Sequence, residues 1–241
     1  MTNPHSKTGA ARPATRQPQL RARPSRPWQR LLRRPTQEPL ITALTPPVQT
    51  DLGSSYRQLL RADLYRKTGR SGLKTFVKTL FTDMGFKHTF WFRTASVCRS
   101  RPLLRRTLYP FVRAIYNHYQ HKHGVWIPPT TKVGPGLFLE HLGDVVVNGR
   151  AVIGRNCNLA NGVTIGQSNR GARQGVPQIG DNVFIGPGAK IIGGLKVGDN
   201  AAVGVNCVVI KDVPENAVIV AGAGQIVSYG GSSGYVNRTD Y

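Results

Sequence analysis

The spacing of apolar residues changes once along the chain, and each regime predicts a different element. Tyr56, Leu59, Leu60 and Leu64 recur at three- and four-residue intervals. So do Leu73, Phe76, Val77 and Leu80, and then Leu108, Phe111, Val112, Ile115 and Tyr119. Those intervals put apolar side chains on one stripe of an α-helix. Gly69, Gly72, Gly85 and Pro102 break the pattern, so residues 51–123 are predicted to form an α-helical domain of three or four short helices.

Beyond residue 124 the interval lengthens to six. Val147, Ile153, Leu159 and Ile165 form one series, and Ile179, Ile185, Ile191, Val197, Val203 and Val209 a second. Four residues behind them run Ala151, Cys157 and Val163, then Val183, Ala189, Leu195, Ala201, Cys207 and Val213. A period of six serves neither a 3.6-residue helix nor a simple alternating strand. Three hexapeptides instead close one triangular coil, each giving a short strand and a turn. The aliphatic points into the prism, the small residue four behind it lines the tight interior, and Gly, Asn and Asp serve the turns. Such coils bury their faces only against one another, so residues 124–226 are predicted to be a mainly β, one-dimensional stack of parallel strands. Cys157 and Cys207 fall in the small interior slots and read as packing residues.

The two series are out of register. Ile165 and Ile179 lie 14 residues apart, two more than two hexapeptides. A polar, glycine-containing excursion over residues 167–177 is predicted there, and such a departure from a rigid scaffold is where substrate-contacting groups tend to sit.

Composition narrows the class. No apolar run of 18 residues exists, so no membrane-spanning helix is predicted. Three cysteines without a CxxC pair argue against a disulfide framework or a zinc ribbon and fit a reducing, cytoplasmic setting. The net charge of +22 is concentrated at the front: +8 over residues 1–50, +12 over 51–123 and +2 over 124–241. The best-patterned region is nearly neutral, which argues against nucleic acid as the partner.

Residues 1–50, with nine prolines and scattered arginines, read as a disordered basic tail. An Arg-rich, acid-poor leader also suggests a transit peptide, although the prolines suit no amphipathic targeting helix. Residues 227–241 read as an irregular polar tail. Between them, Phe81, Trp91 and Phe92 stand beside Lys87, Arg93, Arg99, Arg101, Arg105 and Arg106. Two readings follow: core aromatics under a solvated basic face, or basic helices making peripheral contact with an anionic membrane surface.

The hexapeptides resemble the left-handed parallel β-helix of the hexapeptide acyltransferases. The preceding helices and the run Gly136, Leu137, Phe138, Leu139, Glu140, His141 resemble the serine acetyltransferase-like branch, over roughly residues 55–225. A β-helical carbonic anhydrase would need three histidines around zinc, and residues 124–241 hold His141 alone. A sugar nucleotidyltransferase would need a nucleotide-binding α/β domain that residues 1–123 do not offer. His121 and His123 read as a solvated helix end rather than a ligand pair, so no metal is expected.

The resemblance implies an acetyl-CoA-dependent O-acetyltransferase with His141 as general base, since a neutral imidazole suits proton removal from a hydroxyl. Glu140 stands where the family carries an aspartate. By the same resemblance CoA, the co-substrate, would run along the outside of the stack between subunits of a homotrimer. It would meet the main chain of Gly186, Gly188, Ala189 and Ala201, with Lys211 (or Lys190 or Lys196) near its phosphates. Acceptor contacts fall to Asn161, Gln167, Arg170 and Arg173.

The acceptor is where the chain departs from serine acetyltransferase. The family's imidazole-orienting aspartate falls on Trp126 and a later glutamate on Gly149. The Arg-His pair that meets the substrate carboxylate falls on Gly175 and Val176. A lost charge-assisted bond costs about 1.5–3 kcal/mol. The altered loop resembles enzymes that O-acetylate sugars in surface-polysaccharide synthesis, and a basic front half would suit a lipid-linked glycan at the inner membrane surface. The expected acceptor is therefore a sugar hydroxyl. L-serine is the alternative acceptor, and a non-catalytic β-helix scaffold the alternative to an enzyme.

Overall fold

The computed structural model describes residues 54–222. The two expected tails, residues 1–50 and 227–241, fall outside the described residues.

Five helices come first among the described residues: α1 (Tyr56–Thr68), α2 (Leu73–Thr82), α3 (Met84–Ser100), α4 (Pro102–Thr107) and α5 (Tyr109–His123). Ser55 and Gln58 make a reciprocal capping box at the start of α1, and Gly69, at φ 66°, ends it. Asp83 caps α3 by accepting from the Phe86 amide at 2.7 Å. The apolar stripes predicted for α1, α2 and α5 are present. Five helices stand where three or four were expected, and two lie outside the predicted stripes. One is the short α4, which opens on Pro102 rather than breaking there. The other is α3, which packs against all four other helices and buries residues around much of its girth.

Two readings of this layer are corrected. Arg93 is buried rather than solvated, as are the neighbouring Phe92 and, in part, Trp91. His121 is exposed, with its ring 4.6 Å from that of Trp126. His123, however, is buried against Tyr119 and His88, so the pair is not a solvated helix end. Burial, reinforced by nearby positive charge, pushes the imidazole pKa of both His88 and His123 down, that of His88 to about 3.

Fourteen short strands follow among the described residues. The first coil holds β1 (Val125–Trp126), β2 (Lys132–Val133) and β3 (Phe138–Leu139). The second holds β4 (Val145–Val147), β5 (Val152–Ile153) and β6 (Asn158–Leu159). The third holds β7 (Thr164–Gly166), β8 (Gln178–Ile179) and β9 (Phe184–Ile185), and the fourth β10 (Lys190–Ile192), β11 (Lys196–Val197) and β12 (Ala202–Val203). Strands β13 (Val208–Val209) and β14 (Val218–Ile219) begin a fifth.

Strands one coil apart stack in parallel, giving three faces: β1-β4-β7-β10-β13, β2-β5-β8-β11 and β3-β6-β9-β12-β14. The expected parallel stack of hexapeptides is what forms. Both aliphatic series and the small residues behind them are buried, Cys157 and Cys207 included. Enclosure of Cys157 raises its thiol pKa to about 12, against partly offsetting hydrogen bonding, as suits an inert packing residue. The core runs without interruption from Phe92, Ala95 and Tyr116 of the helices through the prism to Val213.

The strand register refines the sequence periodicity in two places. Val147 pairs with Ile165 and Ile191 with Val209, a step of 18 residues. Ile165 pairs with Ile191, a step of 26, so the excursion after β7 contains eight extra residues rather than two. Below it, Val125, Val133 and Leu139 pair with Val145, Ile153 and Leu159 at steps of 20. The series therefore starts one coil earlier than Val147. Two residues inserted between β3 and β4 conceal that first coil from a fixed period.

Candidate active site

The two-residue insertion is at the corner, residues 140–144, that carries Glu140 and His141. An ordinary corner of this stack turns tightly, as residues 160–163 do between β6 and β7. The longer one throws both side chains outward: Glu140 and His141 are exposed, and neither side chain has a hydrogen-bond or ion-pair partner among the described residues.

The corner itself is held firmly. The Gly143 carbonyl accepts from the Gly162 amide at 2.8 Å, the Val145 amide donates to the Gly124 carbonyl at 3.0 Å, and the Glu140 amide donates to the Leu159 carbonyl at 3.3 Å. Gly85, read from sequence as a break between helices, is instead the second residue of α3, pressed onto this corner. A Cβ there would lie 2.7 Å from the Leu139 carbonyl oxygen. A glycine inside an otherwise helical run was the available signal for that close approach.

Among the described residues, the corners between the third and first faces stack in one column: residues 140–144, then 160–163, 186–189 and 204–207. His141, Asn161, Gly186, Gly188 and Ala189 therefore share one edge of the prism. The amides of Gly186, Gly188 and Ala189 are already used inside the stack, donating to Val203, Asn161 and Gly186 carbonyls respectively. Ala189 and Ala201 are buried, and Ala201 belongs to a different edge, after β11. Lys211 follows β13, on the third edge. The expected CoA contacts are thus spread over three edges of one chain, and only three of the five are in the His141 column.

The excursion, residues 167–177, also leaves from that third edge, across the β7 face from His141. A three-residue strand at ~3.3 Å per residue makes that face about 10 Å wide. The loop is internally built. Ser168 and Gly175 exchange backbone bonds at 3.0 and 2.9 Å, and the Gly194 amide donates to the Arg173 carbonyl at 2.8 Å.

The side chains expected to meet an acceptor differ in their freedom. Gln167 bonds Asn169 and Arg150. Arg173 is paired with Asp212 at 2.7 Å. Burial alone would raise the Asp212 pKa. The Arg173 hydrogen bond, the Lys196 amide and their positive charge outweigh it and hold that carboxyl below its usual value. Arg170 and Asn161 are exposed, and their side chains have no partner among the described residues. Lys190 lies along the β7 face, its Nζ on the Gly162 carbonyl at 2.5 Å and the Thr164 hydroxyl at 3.0 Å.

Two recesses, of about 390 and 320 Å³, are lined by the helices and the adjoining coils, and neither reaches His141. The imidazole stands on an open edge. No group of three His, Cys, Asp or Glu is placed to hold a metal ion among the described residues. No helix there is long and apolar enough to cross a membrane.

Comparison with known proteins adds a consistent set of relatives. The family described as Bacterial transferase hexapeptide (six repeats) matches residues 177–211. Serine acetyltransferase of Mycobacterium tuberculosis is 35% identical over 140 residues, 58% of this chain and 56% of that protein. The crystal structure of Neisseria gonorrhoeae serine acetyltransferase in complex with serine is 32% identical. It superposes with a TM-score of 0.57 over 73% of this chain and 71% of that one. Soybean serine acetyltransferase complexed with serine is similar at 32% identity and TM-score 0.58, over 72% and 70%. The chain spans little more than half the length of the Mycobacterium relative.

Proposed function

The chain belongs to the serine acetyltransferase-like hexapeptide-repeat family, and on that premise we propose that it is an acetyl-CoA-dependent O-acetyltransferase with His141 as general base. The observation that carries this reading is the enlarged corner that presents Glu140 and His141, unpaired, at the foot of an edge column. In the proposed step the imidazole takes the hydroxyl proton as the acceptor oxygen attacks the thioester carbon. The tetrahedral oxyanion then collapses, the carbon–sulfur bond breaks, and the leaving thiolate takes the proton from the imidazolium, giving the acetyl ester and free CoA. Every atom is accounted for without a covalent enzyme intermediate or a metal.

The His141 edge and the loop edge of one chain lie a face apart. We infer that the site closes between adjacent prisms of a homotrimer, the column of one chain facing the loop of the next.

The relatives favour L-serine as the acceptor over the sugar that the loop sequence suggests, since the Mycobacterium, Neisseria and soybean proteins are named serine acetyltransferases. Glu140 would meet the serine amine, and Arg170 is the loop cation left free for its carboxylate. The second reading, an acceptor without a carboxylate such as a sugar hydroxyl, keeps one specific observation in its favour. Arg173 is committed to Asp212, and position 126 holds a tryptophan in edge-to-face contact with His121 rather than a carboxylate.

The test is CoA release from acetyl-CoA with L-serine, run beside His141→Ala. His141-dependent turnover at millimolar serine or below supports the serine reading. CoA release that needs a sugar instead of serine supports the second. CoA release that is absent with every acceptor, together with no CoA binding, overturns both and leaves the scaffold.

A further inference from the structure

Helix α2 packs on α1 and α3, and α4 packs on α3 and α5. Each turns a large apolar stripe away from that packing. On α2, Leu73, Val77 and Phe81 follow one another at four-residue steps, Leu73 80% and Phe81 74% exposed. Leu103 of α4 and Phe111 of α5 are 75% and 70% exposed, with Leu108 between them. Isolated exposed leucines mean little, but six large side chains on two amphipathic stripes are more than a solvated helix face carries.

The charge around them is of one sign. Lys74 and Lys78 flank the α2 stripe, and Arg105 and Arg106 the α4–α5 stripe, all exposed. Helices α2 to α5 contain no Asp or Glu. The two carboxylates of the layer are both occupied by cations, Asp63 by Arg93 and Asp83 by Lys67 at 3.1 Å. A second copy of the same layer would bring like charge against like charge. A surface of negative headgroups over hydrocarbon matches both properties at once.

We propose that the α2 and α4–α5 stripes dock this protein on an anionic lipid surface. Phe81, Leu103 and Phe111 enter the headgroup–acyl boundary, and Lys74, Lys78, Arg105 and Arg106 lie over the lipid phosphates. Trp91, Phe92 and Arg93, which sequence alone grouped with this feature, belong to the core instead. The inference is independent of the acceptor and of catalysis.

The experiment is co-sedimentation of the full chain with vesicles of phosphatidylcholine and phosphatidylglycerol, against phosphatidylcholine alone, at low and high salt. Binding is expected only with the anionic vesicles, weakening as salt rises. The double variant Phe81→Ser/Phe111→Ser, and separately Lys74→Gln/Lys78→Gln/Arg105→Gln/Arg106→Gln, should each lose about tenfold or more of the partitioning. All six positions are exposed, and an unchanged melting temperature confirms that each variant is folded. Binding that survives both variants overturns the proposal, because another segment then carries it. Equal binding to neutral vesicles overturns it too. So does lipid-independent assembly that Phe81→Ser/Phe111→Ser dissolves, since the stripes then belong to a protein interface.

Discussion

Arg93 and Asp63 form a buried, two-point ion pair, Nε to Oδ2 at 2.9 Å and Nη2 to Oδ1 at 3.1 Å, that clamps the helices to the first coil of the prism. The remaining capacity of both groups goes to that coil. Arg93 donates to the carbonyls of Val133 and Gly134 at 2.6 Å each, and Asp63 Oδ1 accepts from the amides of Gly136 and Leu137 at 2.9 Å. A buried pair adds stability only when its other hydrogen bonds are also made, and here they are. Removing one partner leaves an uncompensated buried charge. Arg93→Met or Asp63→Ala should each destabilise the fold by about 3–5 kcal/mol, about 10 °C in melting temperature. Thermal unfolding followed by circular dichroism checks this, and a shift of a degree or two would show the clamp to be dispensable.

His141 carries the opposite expectation. It is exposed and unpaired among the described residues, so His141→Ala should leave the melting temperature unchanged while lowering turnover by about 10²–10⁴-fold. Parallel melting and CoA-release measurements separate the two effects.

Acid should weaken the helical layer through His88. Its folded pKa is depressed to about 3 by burial and by His123, so the folded state holds it neutral while the unfolded chain takes up a proton below the ordinary value of 6.5. Stability is therefore intact above that value and falls as pH drops towards 3, by at most ~1.4 kcal/mol per pH unit for one group. Urea midpoints measured from pH 7 to pH 5 should decline, and His88→Leu should flatten the decline. Tyr116 keeps its 2.7 Å bond to the Ile127 carbonyl in that variant, so the helix remains anchored.

Gly85→Ala tests how tightly the helices set the His141 corner. The new methyl would meet the Leu139 backbone oxygen at 2.7 Å, which cannot rotate away, so α3 or the corner must move. A loss of about 1–3 kcal/mol in stability is expected. Turnover should fall beyond what the loss of folded protein explains. Normal activity per folded molecule would show that the corner holds its geometry without α3.

Arg173→Ala distinguishes a structural from a substrate role. The Arg173–Asp212 pair is about half exposed, so its loss should cost less than about 1 kcal/mol. If Asp212 rather than the acceptor is its partner, KM for the acceptor should change by less than threefold, a shift of that same size or smaller. A tenfold rise in KM without loss of stability would make Arg173 an acceptor ligand after all.

Much of the fold was legible from spacing, and the proposed base from residue identity. Ile153, Leu159 and Ile165 recur every six residues because each coil repeats the same local demand, an inward aliphatic and a small residue four behind it. A demand that repeats along the chain is written in its order. His141 stood out because residues 124–241 hold no other histidine. The period was lost where the chain inserts residues, at the corner carrying His141 and at the excursion after Ile165, which are also the places with candidate chemistry. An insertion obeys no repeat, so spacing alone cannot size it.

The sequence by itself thus determined the prism, the helical layer before it and the residue proposed as the base. Tertiary structure alone decided that Arg93 is an internal clamp rather than part of a basic face, that Gly85 seats a helix on Leu139, and that His141 and the excursion occupy different edges of one chain. Each of those depends on contacts between residues from thirty to more than seventy positions apart. Periodicity reports what lies within a turn or a hexapeptide, whereas charge burial and close backbone approach are set by which distant segments the packed core brings together.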